Sequence, residues 1–268
     1  MTPNRKQDIA YSMSALIDPD SYDDVIFRYG LTALYNGGDL QIENVDLALT
    51  KDGDLRLGAI PYNAMFRLVQ SWRYNAPAMR LMFDTIYELR NAKPELEQNL
   101  EEILSRGPAL GRFLPSTDVP LYHAANDAIG ATEVSRSALA GSLIIVVGSL
   151  LGRFKDDLNV SSADWNAGMP NYAEHSFGRV VTAAANSFRH ADEWKKALFA
   201  KNTTDQQQRS MDVLKGALGL QAEHVLDNSC EAVLDLIGNQ DFDELAKSAL
   251  TFANGLALQT EARAATNA

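Results

Sequence analysis

The sequence contains a single cysteine, Cys230, among 268 residues, which excludes an internal disulfide and a cysteine-cluster zinc site. It also lacks the glycine-rich phosphate motifs G-x-G-x-x-G and G-x-x-x-x-G-K-[ST], and the G-x-S-x-G turn of serine hydrolases. Nothing in the sequence therefore supports a Rossmann-type or P-loop nucleotide site, and we expect no metal or organic cofactor. A chain of this length can bury a large core without disulfides or metal. A lone cysteine fits a reducing, cytoplasmic compartment.

Basic charge is scarce as well. The sequence has 24 Lys and Arg against 35 Asp and Glu, a net charge of −11. Proteins that coat long duplex DNA are usually basic, because each phosphate contact exchanges a counterion for Lys or Arg. Duplex DNA is therefore an unexpected partner. RNA bound at a local site, a protein partner and a second copy of the chain stay open.

The main apolar run is short. It covers 14 residues, Ala138–Leu151, whereas a membrane-spanning helix needs about 20. Met1–Asp8 is polar and is not followed by the apolar core of a signal peptide. We expect a cytoplasmic protein with no membrane partner, in which 138–151 is a buried central helix. Gly148 and Gly152 would let a neighbouring helix approach it closely.

Apolar residues recur at helical spacing along most of the chain, which predicts a mainly α protein built as a helical bundle. The predicted helices are Asn4–Ile17, one capped by Ser21 and Asp24 and ended by Gly37-Gly38, two separated by a break or kink at Pro77, one opening at Pro94 and closed by Gly107, Leu121–Gly130, Thr132–Leu158, Tyr172–Lys201, Asp205–Leu220, one from Leu226 to Gly238, and one capped by Asp241 and Glu244. Ser161–Pro170 is predicted as a loop that includes Trp165.

Near residue 45 the period changes from helical to alternating. Apolar residues from Val45 to Leu49 and from Leu55 to Ala59 alternate with polar ones around a turn at 51–54, which predicts a small β-hairpin. The predicted organisation is an N-terminal helical region at 1–110 with a hairpin near 45–60, a linker at 107–120, a C-terminal bundle at 121–258 and a flexible tail at 259–268.

A polar stripe on the helix predicted at 172–201 is the main functional signal. Phe177, Val181, Ala184, Phe188 and Ala191 form its core face, and Arg179, Asn186, His190 and Glu193 lie opposite. Asn186 and His190 are i,i+4 neighbours, so both side chains can reach one ligand group. Histidine shuttles protons near neutral pH and arginine stabilises phosphate charge. The stripe thus predicts a phosphodiester site with Arg179 and Arg189 as substrate-binding residues, edged by Trp194.

The segment Ala185–His190, placed after a long apolar helix, resembles the HEPN superfamily of α-helical bundles. That family's signature is an arginine, a polar residue that is often asparagine, three variable residues and a histidine. Asn186 and His190 match it, and Ala185 stands at the arginine position. The resemblance covers about 121–220 and implies a dimeric, metal-independent endoribonuclease, often of a prokaryotic toxin or defence system, with Asn186 and His190 as catalytic residues. Non-catalytic members that bind RNA, nucleotides or proteins also exist.

Two other functions fit the same sequence. One is a helical interaction or assembly module without an active site, which would expose a large apolar surface or dimer interface. The other is a metal-dependent hydrolase, which would need at least two of the four histidines to converge with carboxylates: His123, His175, His190 and His224.

Overall fold

The structure, a computed structural model, describes residues 20–35, 38–50, 53–106, 117–220 and 228–267. It is 77% helical with two small antiparallel sheets, which confirms the predicted mainly α bundle with an N-terminal hairpin. The helices are α1 (Tyr22–Tyr29), a 3-10 turn (Thr32–Leu34), α2 (Ile60–Ser105), α3 (Val119–Leu158), α4 (Ser162–Ala167), α5 (Phe177–Arg189), α6 (Ala191–Ala200), α7 (Asp205–Leu218), α8 (Ser229–Gly238) and α9 (Phe242–Asn267). The strands are β1 (Ile42–Glu43), β2 (Asp46–Leu47), β3 (Asn171–Tyr172) and β4 (His175–Ser176).

Two long helices, α2 and α3, form the spine of the molecule. They have 46 and 40 residues, and at 1.5 Å per residue they are about 69 and 60 Å long. Arg67, near the start of α2, pairs with Asp157 at the end of α3 at 2.8 Å. Lys93, late in α2, pairs with Glu133, early in α3, at 2.6 Å. The two helices therefore run antiparallel.

The breaks predicted within these two helices are wrong. Pro77 and Pro94 both lie inside α2, and the predicted segments 121–130 and 132–158 are one helix. An internal proline removes one backbone hydrogen bond and costs about 3 kcal/mol. Buried Trp72, Met79 and Phe83 flank Pro77 and hold the helix on its neighbours across the proline. The predicted linker lies mostly outside the described residues, and α3 already contains Pro120 in its first turn.

The predicted start of the second helix is confirmed, but its predicted end is not. The Ser21 side chain caps α1 by accepting a hydrogen bond from the Asp24 backbone N–H. The helix ends at Tyr29 rather than at Gly37-Gly38, because Gly30 takes a left-handed conformation with φ 61° and caps it. The helix predicted at 4–17 lies outside the described residues.

A three-stranded ladder occupies the position of the predicted hairpin. The predicted pairing is present, with Leu49 opposite Leu55. A second turn at Asn44 and Val45, both at positive φ, adds β1 opposite β2 with Ile42 facing Leu47. Val45, predicted as a strand residue, is instead at the tip of this turn.

The segment 161–201 differs most from its prediction. The short helix α4 lies where a loop was predicted. Ser161 caps it, and Trp165 on this helix is buried. The long helix predicted at 172–201 is instead the β3–β4 hairpin followed by α5 and α6, which meet at His190 with φ −119° and ψ 22°. The prediction missed these features because two-residue polar strands and a break of one residue hardly change the spacing of apolar residues.

The C-terminal helices largely follow the sequence pattern. Thr204 and Gln207 form a reciprocal capping box at the start of α7, and the Asp241 side chain accepts from the Asp243 backbone N–H at the start of α9. Leu226 lies outside the described residues, and α8 begins at Ser229. Residues 259–267 continue α9, and Arg263 forms a bidentate pair with Asp164. The flexible tail at 259–268 stays a prediction.

One continuous apolar cluster takes side chains from every helix, α1 to α9. The boundary predicted between 110 and 121 falls mostly outside the described residues, so the division into two regions stays a prediction. By length and composition α3 could cross a membrane, with a mean hydropathy of 1.8 over its most apolar window. Its apolar residues between Ala140 and Leu158 are largely buried in the core, an arrangement compatible with a soluble protein.

A buried carboxylate joins three helices at one end of the spine. Glu231 of α8 accepts hydrogen bonds from Arg90 of α2 and Arg136 of α3. Only 5% of the Glu231 side chain is exposed. Arg90 also bonds both oxygens of Asp235, and Tyr87 donates to the same carboxylate at 2.7 Å. These partners raise the pKa of Arg90 and keep it charged.

We predict opposite effects for two glycines of α3. A side chain at Gly141 would overlap the ring of Phe188, whereas one at Gly152 would meet nothing within 4 Å. Gly141→Ala should therefore lower the free energy of unfolding by about 1–3 kcal/mol. Gly152→Ala should raise it by up to about 1 kcal/mol through helix propensity. Urea unfolding followed by circular dichroism measures both, and equal effects would contradict the packing of Phe188 on Gly141.

A second prediction concerns the buried carboxylate. Glu231→Gln should lower the free energy of unfolding by about 3–5 kcal/mol, because it leaves Arg90 and Arg136 without their shared counter-charge. The matched control is Glu133→Gln, which removes the exposed pair with Lys93 and should cost less than about 1 kcal/mol. Chemical denaturation of both variants checks this, and a loss at Glu231 no larger than at Glu133 would contradict it.

Candidate functional site

Helix α5 carries the polar stripe because its ends and inner face are fixed. Ser176 caps its first turn by accepting from the Arg179 backbone N–H, and its hydroxyl donates to the Trp165 carbonyl. Phe177, Val181 and Ala184 are buried as predicted. The outer face of α5 then presents its polar residues toward α7 and toward solvent.

Asn186 and His190 lie together on one open depression of about 180 Å³. Glu193 and Trp194 of α6 and three residues around the start of α7, Thr204, Gln206 and Gln207, complete its lining. Asn186 is half-buried and His190 is exposed. The predicted pair therefore shares a solvent-open site.

A carboxylate orients the imidazole of His190. The Glu193 Oε2 atom lies 3.1 Å from His190 Nδ1. If Nδ1 carries the proton and donates it to Glu193, Nε2 is free to accept a proton from a substrate. A carboxylate in this position also stabilises the charged imidazolium after the transfer. His190 is the N-cap residue of α6 and Glu193 follows three positions later, so the two side chains lie close together.

The three predicted substrate-binding residues, Arg179, Arg189 and Trp194, lie in three different environments. Arg179 lies eleven positions before His190, about 16 Å away along the helix axis, and does not line the same depression. Arg189 is exposed beside His190. Trp194 edges the depression, but only 3% of it is exposed, so its ring is mostly core.

The position of the family arginine faces inward. Ala185 is 3% exposed and packs under α3, where a side chain on Gly148 would lie 3.7 Å from the Ala185 Cβ. A long cationic side chain has no space there. Any cation that serves the Asn186–His190 depression must therefore come from elsewhere.

A second depression, which we call the basic depression, lies between α3, α5 and α7 and has a volume of about 490 Å³. Its charged lining residues are Lys155, Arg179 and Arg209, one from each helix. Its lining also includes Gly148, Gly152, Ser162, Trp165, Asn166, Thr182, Ala183, Ser210 and Val213. No carboxylate is among them, so the basic depression concentrates positive charge in a protein of net charge −11.

The geometry fixes two of these cations. The Lys155 ammonium lies 5.1 Å from the ring centroid of Trp165, and the Arg209 Nε donates to the Asp205 carbonyl at 3.1 Å. Burial, and after it the charge of Arg179, lower the pKa of the adjacent His175. Both effects disfavour a further positive charge beside the basic depression.

The remaining titratable residues of interest do not form a reactive cluster. Among the described residues, no group of three or more His, Cys, Asp or Glu could hold a metal ion, and His224 lies outside them. Burial raises the pKa of the Cys230 thiol to about 12, so it stays protonated and donates to the Ala184 carbonyl. Cys230 is therefore an inert core residue.

Sequence reasoning found Arg179 but missed Lys155 and Arg209. Their positions are 24 residues before and 30 residues after Arg179, and neither belongs to the polar stripe. Only the packing of α5 against both α3 and α7 brings the three together. No spacing signal within one helix could have identified them.

Comparisons of this chain with known proteins give no match. No protein-family model matches the sequence, and no curated protein and no solved structure shows significant similarity to it. Function must therefore be argued from the two depressions and the surface of the molecule itself.

Proposed function

We propose that this protein cleaves RNA without a metal ion, with His190 as the general acid/base and Asn186 as the residue that orients the phosphodiester. The observation that carries the proposal is the open depression that Asn186 and His190 share, with Glu193 held against His190 Nδ1. The resemblance of 185–190 to the HEPN signature points to the same two residues. As that resemblance implies, we propose a prokaryotic toxin or defence context, and the lone cysteine favours a cytoplasmic location.

The chemistry follows from the positions of the two side chains. His190 Nε2 takes the proton of a ribose 2′-hydroxyl, and the 2′-oxygen attacks the adjacent phosphorus. The bond from phosphorus to the 5′-oxygen breaks, and that oxygen leaves with a proton returned by the imidazolium. The products are a 2′,3′-cyclic phosphate and a free 5′-hydroxyl. The Asn186 amide donates to a phosphate oxygen and holds the group in line.

Stabilising the transition-state charge needs a cation that Ala185 does not supply. Arg189 is exposed and precedes His190 in the chain. We propose Arg189 as the cation of the same chain that stabilises this charge. A second copy paired along this face would bring further cations across a two-fold axis. A homodimer is therefore part of the proposal.

The test is cleavage of single-stranded RNA by the purified protein in excess chelator. His190→Ala should lower the rate by about 10²–10⁴-fold, the usual contribution of a general acid/base. The matched control is His123→Ala, which removes an exposed histidine of α3 far from the depression. Absence of cleavage, or equal rates for wild type and His190→Ala, would rule out the catalytic role.

An apolar sheet face favours a second candidate function, self-assembly without catalysis. Cross-strand pairing places the aliphatic side chains of the ladder on one face. Five of them are at least 45% exposed: Leu40, Ile42, Leu47, Leu49 and Leu55. On the opposite face Ala48 is buried. Such a contiguous exposed patch is typical of an interaction site.

We propose that a second copy of the chain covers this face. A sheet this small is marginal in water unless another layer covers its apolar side. An aliphatic face is self-complementary, as a two-fold interface requires.

Light scattering after size-exclusion chromatography tests this assembly. The wild type should be a dimer at micromolar concentration, and Ile42→Ser with Leu47→Ser should be a monomer. The control is Phe199→Ser, which removes an apolar side chain at the end of α6 that is more exposed than Ile42 or Leu47 and should leave the dimer intact. A monomeric wild type, or a dimer that survives both serine substitutions, would contradict the interface.

A further inference from the structure

The basic depression has features that the Asn186–His190 site does not explain. Lys155, Arg179 and Arg209 come from three helices and converge on one concave surface. Cations that line one concave surface raise the local potential and favour binding of an anion there. Packing of α5 against α3 and α7 holds the cluster in place.

Within the part of the chain that the structure describes, cations elsewhere are mostly paired. Arg90 and Arg136 share Glu231, and Arg263 binds Asp164. Neither Lys155 nor Arg179 nor Arg209 has a carboxylate within ion-pair distance in that part. In a protein with eleven more acidic than basic residues, this leaves a counter-charge to be supplied from outside.

The neutral polar groups around the cations define the chemistry of that ligand. Ser162, Asn166 and Ser210 line the same surface, and their hydroxyl and amide groups can donate hydrogen bonds to a ligand. Thr182 also lines it, but its hydroxyl donates to the Gly178 carbonyl at 2.7 Å. Cations with several neutral donors and no carboxylate suit a multiply charged oxyanion, of which phosphate is the common biological case. The volume of about 490 Å³ lies within the range of small-ligand sites, about 300–1,000 Å³, so it can hold more than a bare phosphate.

We infer that the basic depression binds the phosphate group of a nucleotide, supplied either by a free mononucleotide or by an RNA strand. Arg179 and Arg209 grip the phosphate oxygens from opposite sides, with α5 on one side and α7 on the other. Lys155 adds a third charge while its stem stays on Trp165. The inference rests on residues separate from Asn186 and His190, so it does not depend on RNA cleavage.

Gly152 provides a way to close the site without damaging the fold. It lines the basic depression, and a side chain there would meet nothing within 4 Å. Helix packing does not require a glycine at position 152. The space beside Gly152 is part of the basic depression. Gly152→Leu would fill that space, while Gly152→Ala would leave most of it.

The experiment is isothermal titration calorimetry on the full chain in the His190→Ala background, so that cleavage does not affect the readout. The probes are adenosine monophosphate, adenosine and a twelve-nucleotide single-stranded RNA. The monophosphate should bind and adenosine should not. Arg179→Gln and Arg209→Gln should each weaken binding by about tenfold or more, the usual effect of losing a charged hydrogen bond.

Gly152→Leu should abolish binding of the monophosphate, and Gly152→Ala should bind within about threefold of the parent. Unfolding midpoints of both variants at or above that of the parent show that the fold is intact. RNA that binds at least tenfold more tightly than the monophosphate, and more weakly as salt rises, identifies a strand as the source. Comparable affinities identify a free nucleotide.

Two outcomes would overturn the inference. The first is no binding of either phosphate probe at millimolar concentration. The second is binding that Arg179→Gln and Gly152→Leu both leave unchanged. Failure of RNA cleavage in the separate His190 experiment would leave this binding result intact, because the titration uses a variant without that histidine.

Discussion

The antiparallel packing of α2 against α3 is the contact on which the rest of the structure depends. Helix α3 is apolar around most of its central circumference, so it can be stable in water only when several elements cover it. Helix α2 covers one side along its length, and α5, α8 and α9 pack on the others. Gly141 lets α5 approach closely, because the ring of Phe188 occupies the space that a side chain there would take.

The buried charges add specificity to this apolar packing. Glu231 must lie between Arg90 and Arg136, and this fixes the position of α8 along the spine. Once α8 is placed there, the hydroxyls of Ser229 and Ser187 lie 3.3 Å apart, and α8 supports the inner face of α5. An apolar contact alone would tolerate sliding along the helix axis, whereas an ion pair with little access to water does not.

Positive charge is thus divided between two roles. Cations inside the bundle neutralise carboxylates and hold helices together. Among the described residues, those of the basic depression have no carboxylate partner, and their field favours the approach of an anion in an otherwise acidic protein. The outer face of α5 connects the two depressions, since Arg179 lines one and Asn186 the other, two turns apart. Under the proposed RNA cleavage, one strand lying along α5 contacts both depressions.

The sequence by itself determined the helical class, the hairpin near residue 50, the core face of α5 and the caps at Ser21 and Asp241, because each depends on residues a few positions apart. Tertiary structure decided that α2 continues through Pro77, that Trp165 is buried on a short helix and that α5 stops before His190. It also brought Lys155, Arg179 and Arg209 together and put Ala185 in the core. In each case the deciding free energy comes from contacts between residues distant in the chain, which local periodicity does not record.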